Sequence, residues 1–237
     1  MNWEIHEPRG CITDLVNDVR QMRARVFYAG GRPGFLHNGR YSDPCQLDAV
    51  ACHLVGRTEA GPVGCIRLVS LADVRPCVTE KLVGPDCLDQ ALARLNIERN
   101  GVAEISRWAV AERYQRTSLG VGGLAAGVIA LARMMGLTTL IGAAATRGNG
   151  RKSPAEMWTQ IGFRWLGIDS RWEEAYQDLI QFGYLELDKV VPEFEPAIRK
   201  MALIIAAQLE RGSSVRPDPL PLRQSEPMVY SAVAASI

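Results

Sequence analysis

The 237 residues carry 27 Lys and Arg against 26 Asp and Glu, with 47% hydrophobic and 22% charged residues. That balance suits a folded chain long enough to bury a sizeable core without disulfides or metals. A formal charge of +1 gives no general attraction to nucleic acid or to an anionic membrane, so neither is expected as a partner.

Residues 1–7 (MNWEIHE) are polar and acidic and lack the basic-then-apolar pattern of a secretion signal. Thr13 to Val26 places Leu15, Val16, Val19, Met22 and Val26 at helical spacing, with Thr13 or Asp14 as cap. Residues 28–46 hold Gly30, Gly31, Pro33, Gly34, Gly39 and Pro44 and read as a long irregular loop. A loop of that length inside a compact domain suggests a task such as covering a site. Val50 to Arg57, a turn at 59–62 and Val63 to Val69 form a strand–turn–strand signature. Leu88 to Leu95 reads as a short helix, and Val102 to Val110 (VAEISRWAV) as a strand with alternating sides.

Leu119 to Met135 is predicted helical despite its glycines, and Leu137 to Ala145 is a continuous apolar strand, buried on both faces. Arg133 divides this apolar region into halves shorter than the about 20 residues a bilayer span needs, so no membrane span is expected. Ser153 to Ile161 is a helix whose Ser153 and Glu156 make a capping box; a strand begins at Gly162, and a last helix covers Pro196 to Glu210. The expected organisation is one domain over 1–211 and a disordered tail over 212–237, marked by Pro217, Pro219, Pro221 and Pro227. Helices and strands in this order indicate an α/β fold, one mixed central sheet flanked by helices.

The six cysteines at 11, 45, 52, 65, 77 and 87 contain no C-x-x-C pair, and His6, His37 and His53 are dispersed. No metal is expected, and reduced thiols in the cytoplasm are the default. Gly148 to Ser153 hints at a nucleotide phosphate loop, but Arg151 separates Gly150 from Lys152 and the earlier glycine is missing. No G-x-S-x-G is present.

The most informative stretch is the strand 102–110, a basic loop with Arg113, Gln115 and Arg116, and then Leu119-Gly120-Val121-Gly122 at a helix start. Backbone amides at a helix start, freed of side chains by glycine, cradle phosphate, and flanking arginines add charge-assisted hydrogen bonds. A plain packing role for the glycines is the other reading.

This arrangement resembles the phosphopantetheine- or pyrophosphate-holding segment of the GNAT acyltransferase superfamily. Four segments resemble one branch of it, the acyl-homoserine-lactone synthases. Arg23 to Phe27 is similar to the family's R-x-x-V-F, Leu47-Asp48-Ala49 to its aromatic-Asp-Ala, Val63 to Leu68 to its G-x-x-R-L strand, and Glu104 to Val110 to its E-x-S-R-F-A-V. The similarity covers about residues 20–170, with the segments in the family's order. Two features depart from it. The tryptophan that follows V-F in the family has Phe35 as its nearest counterpart here, and the family's acidic residue three before Asp48 is Cys45, with Asp43 two positions further back. Those acidic residues help the family hold S-adenosylmethionine. The related N-acyl amino acid synthases, which acylate a free amino acid, fit the altered loop as well.

The resemblance implies a GNAT-like fold and transfer of an acyl group, a fatty one, from an acyl-carrier-protein or coenzyme A thioester to an amine. The acceptor is an amino acid or S-adenosylmethionine, and no tightly bound cofactor is implied. Ordinary small-acyl transfer from coenzyme A and non-catalytic ligand sensing are the other readings. Arg113, Arg116, Leu119, Gly120 and Gly122 would hold the donor, and Arg23, Phe27, Asp48 and Arg67 the acceptor. Glu104 is the candidate base, directly or through water. Arg107, three residues on, points to the opposite strand face unless a bulge intervenes. Arg23, Arg67, Asp48 and Glu104 are a candidate ion-paired cluster. Trp108, like Phe27 and Phe35, is a pocket or core residue. Trp158, Phe163 and Trp165 stand where the family has an acyl-chain wall. Arg147, Arg151 and Lys152 are candidates for docking an acidic carrier.

Overall fold

A computed structural model describes residues 1–212, apart from Arg9, Arg116 and residues 148–152. The proline-rich tail from 213 and the candidate docking residues Arg151 and Lys152 therefore lie outside the described residues, as does the donor candidate Arg116.

The chain opens with strand β1 (Asn2–His6) and helix α1 (Asp14–Ala29), whose cap Thr13 accepts a hydrogen bond from Val16 N. The glycine- and proline-rich loop that follows contains only the small hairpin β2 (Leu36–His37) and β3 (Arg40–Tyr41) and short 3-10 turns. The long hairpin β4 (Cys52–Thr58) and β5 (Gly61–Ser70) comes next, then helices α2 (Val78–Val83) and α3 (Pro85–Arg94). Strand β6 (Val102–Val110) leads to a helix whose first seven residues, Leu119–Ala125, are π-helical and whose remainder is α4 (Ala126–Met134). Strand β7 (Thr139–Ala145), helix α5 (Pro154–Ile161), strands β8 (Arg164–Trp165), β9 (Arg171–Glu173) and β10 (Asp178–Glu186), and helix α6 (Glu195–Gly212) complete the order.

Among the described residues the main sheet has eight strands in the order β1-β4-β5-β6-β7-β10-β8, with β9 beside β10. Among the described residues only the β6–β7 pair is parallel; the other pairings are antiparallel. This is the expected mixed sheet flanked by helices. Sequence reading missed β1, α2, β9 and β10, and extended β8 beyond its two residues. It also took 119–135 as one regular helix. The capping box at Ser153 and Glu156 is present, with both reciprocal hydrogen bonds formed.

The two faces of the sheet differ. One packs Leu54, Ile66, Leu68, Ile105 and Leu140 beneath α4, α5 and α6 in the largest apolar cluster. Contact there is close enough to need glycine. A Cβ on Gly127 would lie 2.4 Å from Leu54, and one on Gly123 would lie 2.5 Å from Trp3. The opposite face carries α1 over Val55, Cys65 and Ala109, and α3 over Val102, Ile141 and Phe182. The charged residues described below are buried on that second face.

Candidate active site

Strands β6 and β7 pair in parallel register from Val102–Thr139 to Ile105–Gly142 and then separate, although β6 continues to Val110 and β7 to Ala145. β7 stays paired with β10 up to Ala145–Ile180, and β6 stays paired with β5 up to Val110–Gly64. The sheet thus opens into a wedge between two strands that are each held on their outer side. Burial follows the pairing: residues 102–105 are buried, whereas Ser106, Arg107 and Trp108 are partly exposed.

At the same place β6 carries a bulge. Its register with β5 shifts between Cys65–Ala109 and Arg67–Ser106, and Arg107 has φ +56°. A non-glycine residue at positive φ is uncommon and persists only where its surroundings hold it. Arg107 Nη1 donates to Tyr176 Oη at 2.8 Å, and its Nη2 lies 3.2 Å from Asp43 Oδ1. The bulge therefore puts Arg107 on the same face as Ser106, the exception that strict alternation required.

Asp48 is the centre of a buried ionic cluster. Arg23 Nη2 lies 2.8 Å from Asp48 Oδ2, Arg67 Nη1 lies 2.8 Å from Oδ1, and Arg20 Nε lies 2.7 Å from Oδ2. Arg23 Nε also lies 2.7 Å from Asp43 Oδ2, and Arg67 Nε donates to Ser106 Oγ. Helical spacing puts Arg20 and Arg23 on one side of α1, facing the loop that carries Asp43 and Asp48. Burial alone would raise the Asp48 carboxyl, but Arg23, then Arg67 and Arg20, outweigh it and hold it well below the usual carboxylate range. Burial likewise opposes the charge on Arg23, yet Asp43 and Asp48 hold its pKa above the ordinary arginine value. His53 accompanies the cluster, with Nε2 3.0 Å from the Asp48 carbonyl, and burial pushes its pKa down to about 4.

Three of the four residues expected in an ion-paired cluster, Arg23, Asp48 and Arg67, do meet. Glu104 is placed elsewhere on the same face. Its carboxylate is fully buried and accepts hydrogen bonds from Val78 N, Thr79 N and Thr79 Oγ1 at the start of α2. Phe27 sits in a buried aromatic group, 4.8 Å from Phe35 and 5.7 Å from Tyr176 between ring centres. Arg20, Ser106 and Tyr176 went unrecognised as partners; Asp43 stood out in the sequence only as the acidic residue two positions before Cys45. Tyr176 lies 69 positions from Arg107, and no local pattern links the two.

A cavity of about 860 Å³ lies past the ends of both strands, and no residue of 102–110 or 139–145 lines it. Ala111, Glu112 and Gln115 line it beyond β6, Arg147 and Pro154 beyond β7, and Met22 and Val26 of α1 above. Of the expected donor residues, Arg113 is exposed, with its guanidinium 4.8 Å from the Tyr114 ring centre. Leu119 is buried as a packing peg: Cβ atoms on Gly56 or Gly64 would come within 3.0 and 3.2 Å of its methyls. Its backbone N–H donates to Thr117 Oγ1 at 3.2 Å. A Cβ on Gly122 would meet Ser118 at 3.3 Å, but one on Gly120 would meet only Val110, at an ordinary 3.7 Å. Packing therefore explains Gly123 and Gly127 but gives no reason for Gly120. Behind the wedge Trp158 lies on Gly142, where a Cβ would come within 2.4 Å of its ring, and the Phe163 ring leans against it, tilted by 42° with ring centres 4.5 Å apart. Trp165 is partly exposed on β8, and Arg147 is largely exposed beside Trp172.

No protein-family model and no curated protein matches the sequence. Solved structures do match in fold. The crystal structure of TofI in a ternary complex with an inhibitor and MTA superposes with a TM-score of 0.61 at 19% identity, over 86% of this chain and 100% of that one. The CoA-dependent acyl-homoserine lactone synthase BjaI with SAM and isopentyl-CoA gives 0.54 at 16% identity, over 83% and 92%. FeeM, an N-acyl amino acid synthase from uncultured soil microbes, gives 0.53 at 13% identity, over 80% and 97%. The chain has the fold of these synthases, a GNAT-like sheet opened between two parallel strands and flanked by helices.

Proposed function

We propose that the chain is an N-acyltransferase, moving an acyl group from an acyl-carrier-protein or coenzyme A thioester to the amine of an amino-acid-type acceptor. The observation that carries this reading is the parting of β6 and β7 after Ile105 and Gly142, beside the bulge at Arg107. A wedge between strands exposes backbone N–H and C=O groups that an extended pantetheine arm can pair with, as an added strand would. The same free N–H groups offer donors to the oxyanion formed when the amine attacks the thioester. The fold neighbours support the reading by what they hold or make: SAM and isopentyl-CoA in one, N-acyl amino acids in another.

In this mechanism the thioester carbonyl lies along Ser106 to Trp108 and the donor's phosphate end reaches Gly120, Gly122 and Arg113, with Arg116 beside them in the sequence. The acceptor enters over the face held by Arg23, Asp48 and Arg67, and Phe27 backs that face. An α-amino group is about one-tenth neutral at pH 7, so a base gains a limited factor, about 10²–10⁴ in rate. Holding amine and thioester together contributes more. Glu104 is the proposed base. Its three hydrogen bonds fix its orientation, so the amine proton reaches it through water or by exchange of one of those bonds. The tetrahedral adduct then collapses with cleavage of the C–S bond, and the proton passes to the departing pantetheine thiolate. The carbonyl and the amine come from the two substrates; the wedge, the acceptor face and Glu104 are the chain's own contribution.

Mass spectrometry of lipid extracts from cells overexpressing the chain tests the reading directly. N-acyl amino acids or N-acyl homoserine lactones are expected, and their absence, together with no acyl transfer in vitro from either donor, refutes it. Glu104→Gln should lower turnover about 100-fold or more while donor binding persists; undiminished turnover removes Glu104 from the mechanism. One observation favours a narrower donor range. Trp158 and Phe163 fill the apolar face directly behind Gly142, which suits a short acyl group better than a long one. A series of acyl-CoA donors from two to twelve carbons separates the two.

A further inference from the structure

Strand β6 faces β5 with one residue too many. Ile66 stands opposite both Arg107 and Trp108, because the register steps from Cys65–Ala109 to Arg67–Ser106. A bulge leaves backbone groups without ladder partners, and groups shielded from water must be satisfied in another way. The carbonyl of Arg107, at φ +56°, is met by a side chain: Cys65 Sγ donates to it at 3.5 Å. Cys65 is 1% exposed, on β5 beside the bulge, and packs with Val55 and Ala109 under α1. Burial pushes its thiol pKa up to about 12, with Arg23 opposing, so the sulfur keeps its proton near neutral pH and remains a donor. A buried cysteine ordinarily serves as a small apolar filler. This one also meets a carbonyl that the bulge leaves over.

The direction of that carbonyl fixes a second group. A peptide unit is planar and trans, so its C=O and N–H point opposite ways. The Arg107 oxygen turns to Cys65, which lies on the β5 side of β6. The N–H of Trp108 belongs to the same peptide plane and is therefore directed away from β5. On that side β6 has already parted from β7 after Ile105–Gly142, and Trp108 is partly exposed there.

Resting on the acyltransfer reading above, we propose that Cys65 is a positioning residue: by holding the Arg107 carbonyl it aims the Trp108 N–H into the wedge, toward the oxygen of the thioester. Donors aimed in advance at the place where negative charge develops need no reorganisation in the transition state. The same contact keeps a carbonyl dipole from turning to that place. A thiol is a weak donor, so its contribution lies in the orientation of one peptide plane, and loss of it shows in turnover more than in substrate binding. Cys65 touches neither substrate; it acts through the backbone of Arg107 and Trp108.

The test uses the full chain with Cys65 replaced in turn by Ser, Val and Ala. Serine keeps a donor, valine keeps an apolar filling without one, and alanine removes both. With acyl-CoA as donor, Cys65→Val and Cys65→Ala should lower kcat about tenfold or more and leave KM for acyl-CoA little changed, short of the about 10²–10³ that outright loss of an oxyanion donor costs. Cys65→Ser should keep kcat within about threefold of the unmodified chain, because its hydroxyl supplies the same kind of donor. A plain filler gives the opposite order, since a buried hydroxyl is costlier than a methyl group. Valine would then be the mildest change and serine the most severe. That order, or equal kcat in all four proteins at equal folded fraction in urea titration, overturns the proposal. A second readout needs no turnover: the Trp108 backbone amide in isotope-labelled protein. In the unmodified chain it should exchange with deuterium faster than the amides of 103–105, and its resonance should move several times further with valine or alanine than with serine. An amide as protected as those of 103–105, or one that moves equally in all three variants, overturns the proposal. If the unmodified chain acylates no amine, the acyltransfer reading fails by itself, and the amide measurement alone then decides whether Cys65 aims Trp108.

Discussion

The two faces of the central sheet solve the same packing problem with opposite chemistry. Under α4, α5 and α6 the sheet is closed by aliphatic side chains and by glycines that let helix and strand approach, at Gly127, Gly123 and Gly142. Under α1 and the 30–50 loop it is closed in part by Asp43, Asp48, Arg23 and Arg67, all buried. Apolar burial stabilises at about 25 cal/mol per Å² without needing partners, whereas a buried ionic cluster is often no better for stability than apolar residues of similar volume. A chain that uses the second solution on one face alone has a use for charge there beyond holding the fold. The wedge between β6 and β7 opens where these faces meet.

The largest expected effects set the faces side by side. Asp48→Asn removes the anion shared by three guanidiniums and should lower unfolding stability by about 3–5 kcal/mol in urea titration. Trp158→Ala should lower it by a similar amount, about 3–5 kcal/mol. Their functional consequences should diverge. Asp48→Asn should raise the acceptor KM, and Trp158→Ala should leave it unchanged while admitting longer acyl donors. If both variants shift the acceptor KM equally, the division of labour between the faces is wrong.

Next in size is Gly142→Ala, whose new methyl would fall 2.4 Å from the Trp158 ring and 2.7 Å from the Ile105 carbonyl. A loss of about 1–3 kcal/mol is expected. Because the ring is one of the two clashing groups, the double variant with Trp158→Ala should be more stable than the sum of the two losses implies. Strict additivity would show that the backbone contact with Ile105 dominates.

The charged face should also be the acid-sensitive one. His53 has a folded-state pKa near 4, below the unfolded value of about 6.5, so the unfolded chain binds the proton first as pH falls. Stability should be level above about pH 7 and decline between about pH 6.5 and 4, by on the order of 2–3 kcal/mol from this group. Asp48, also depressed, adds its own loss below the usual carboxylate range. Thermal unfolding of His53→Asn should lack the decline above pH 4 and keep the later one. The smallest effect belongs to the surface. The Arg57–Glu4 pair, both partners more than one-third exposed, spans 3.5 Å, and Glu4→Gln should change stability by less than about 0.5 kcal/mol in the same urea titration.

Much of the fold was legible because local rules and tertiary packing agreed. Thr13 capped α1, Ser153 and Glu156 formed their capping box, and the alternation of 102–110 and the turn at 59–62 gave strands. Strand β10 was not legible: Asp178, Gln181 and Gly183 interrupt its apolar residues, and its place between β7 and β8 is fixed by distant pairing. The π-helical start of the 119–134 helix was hidden for a similar reason, since helical spacing does not distinguish a widened turn from a regular one.

For the site, residue chemistry was carried by sequence and geometry by the fold. The resemblance to the four synthase segments selected Arg23, Asp48, Arg67, Glu104 and Arg107, and strand alternation alone says that Arg107 shares a face with Glu104 only through a bulge. Only the tertiary structure decided that the bulge exists, that Asp43 and Tyr176 hold Arg107 there, and that Glu104 answers to α2 instead of the arginines. The physical reason is that spacing constrains a side chain's direction within one element, while an ion pair or a parted strand depends on distances between elements far apart in the chain, which no local pattern encodes.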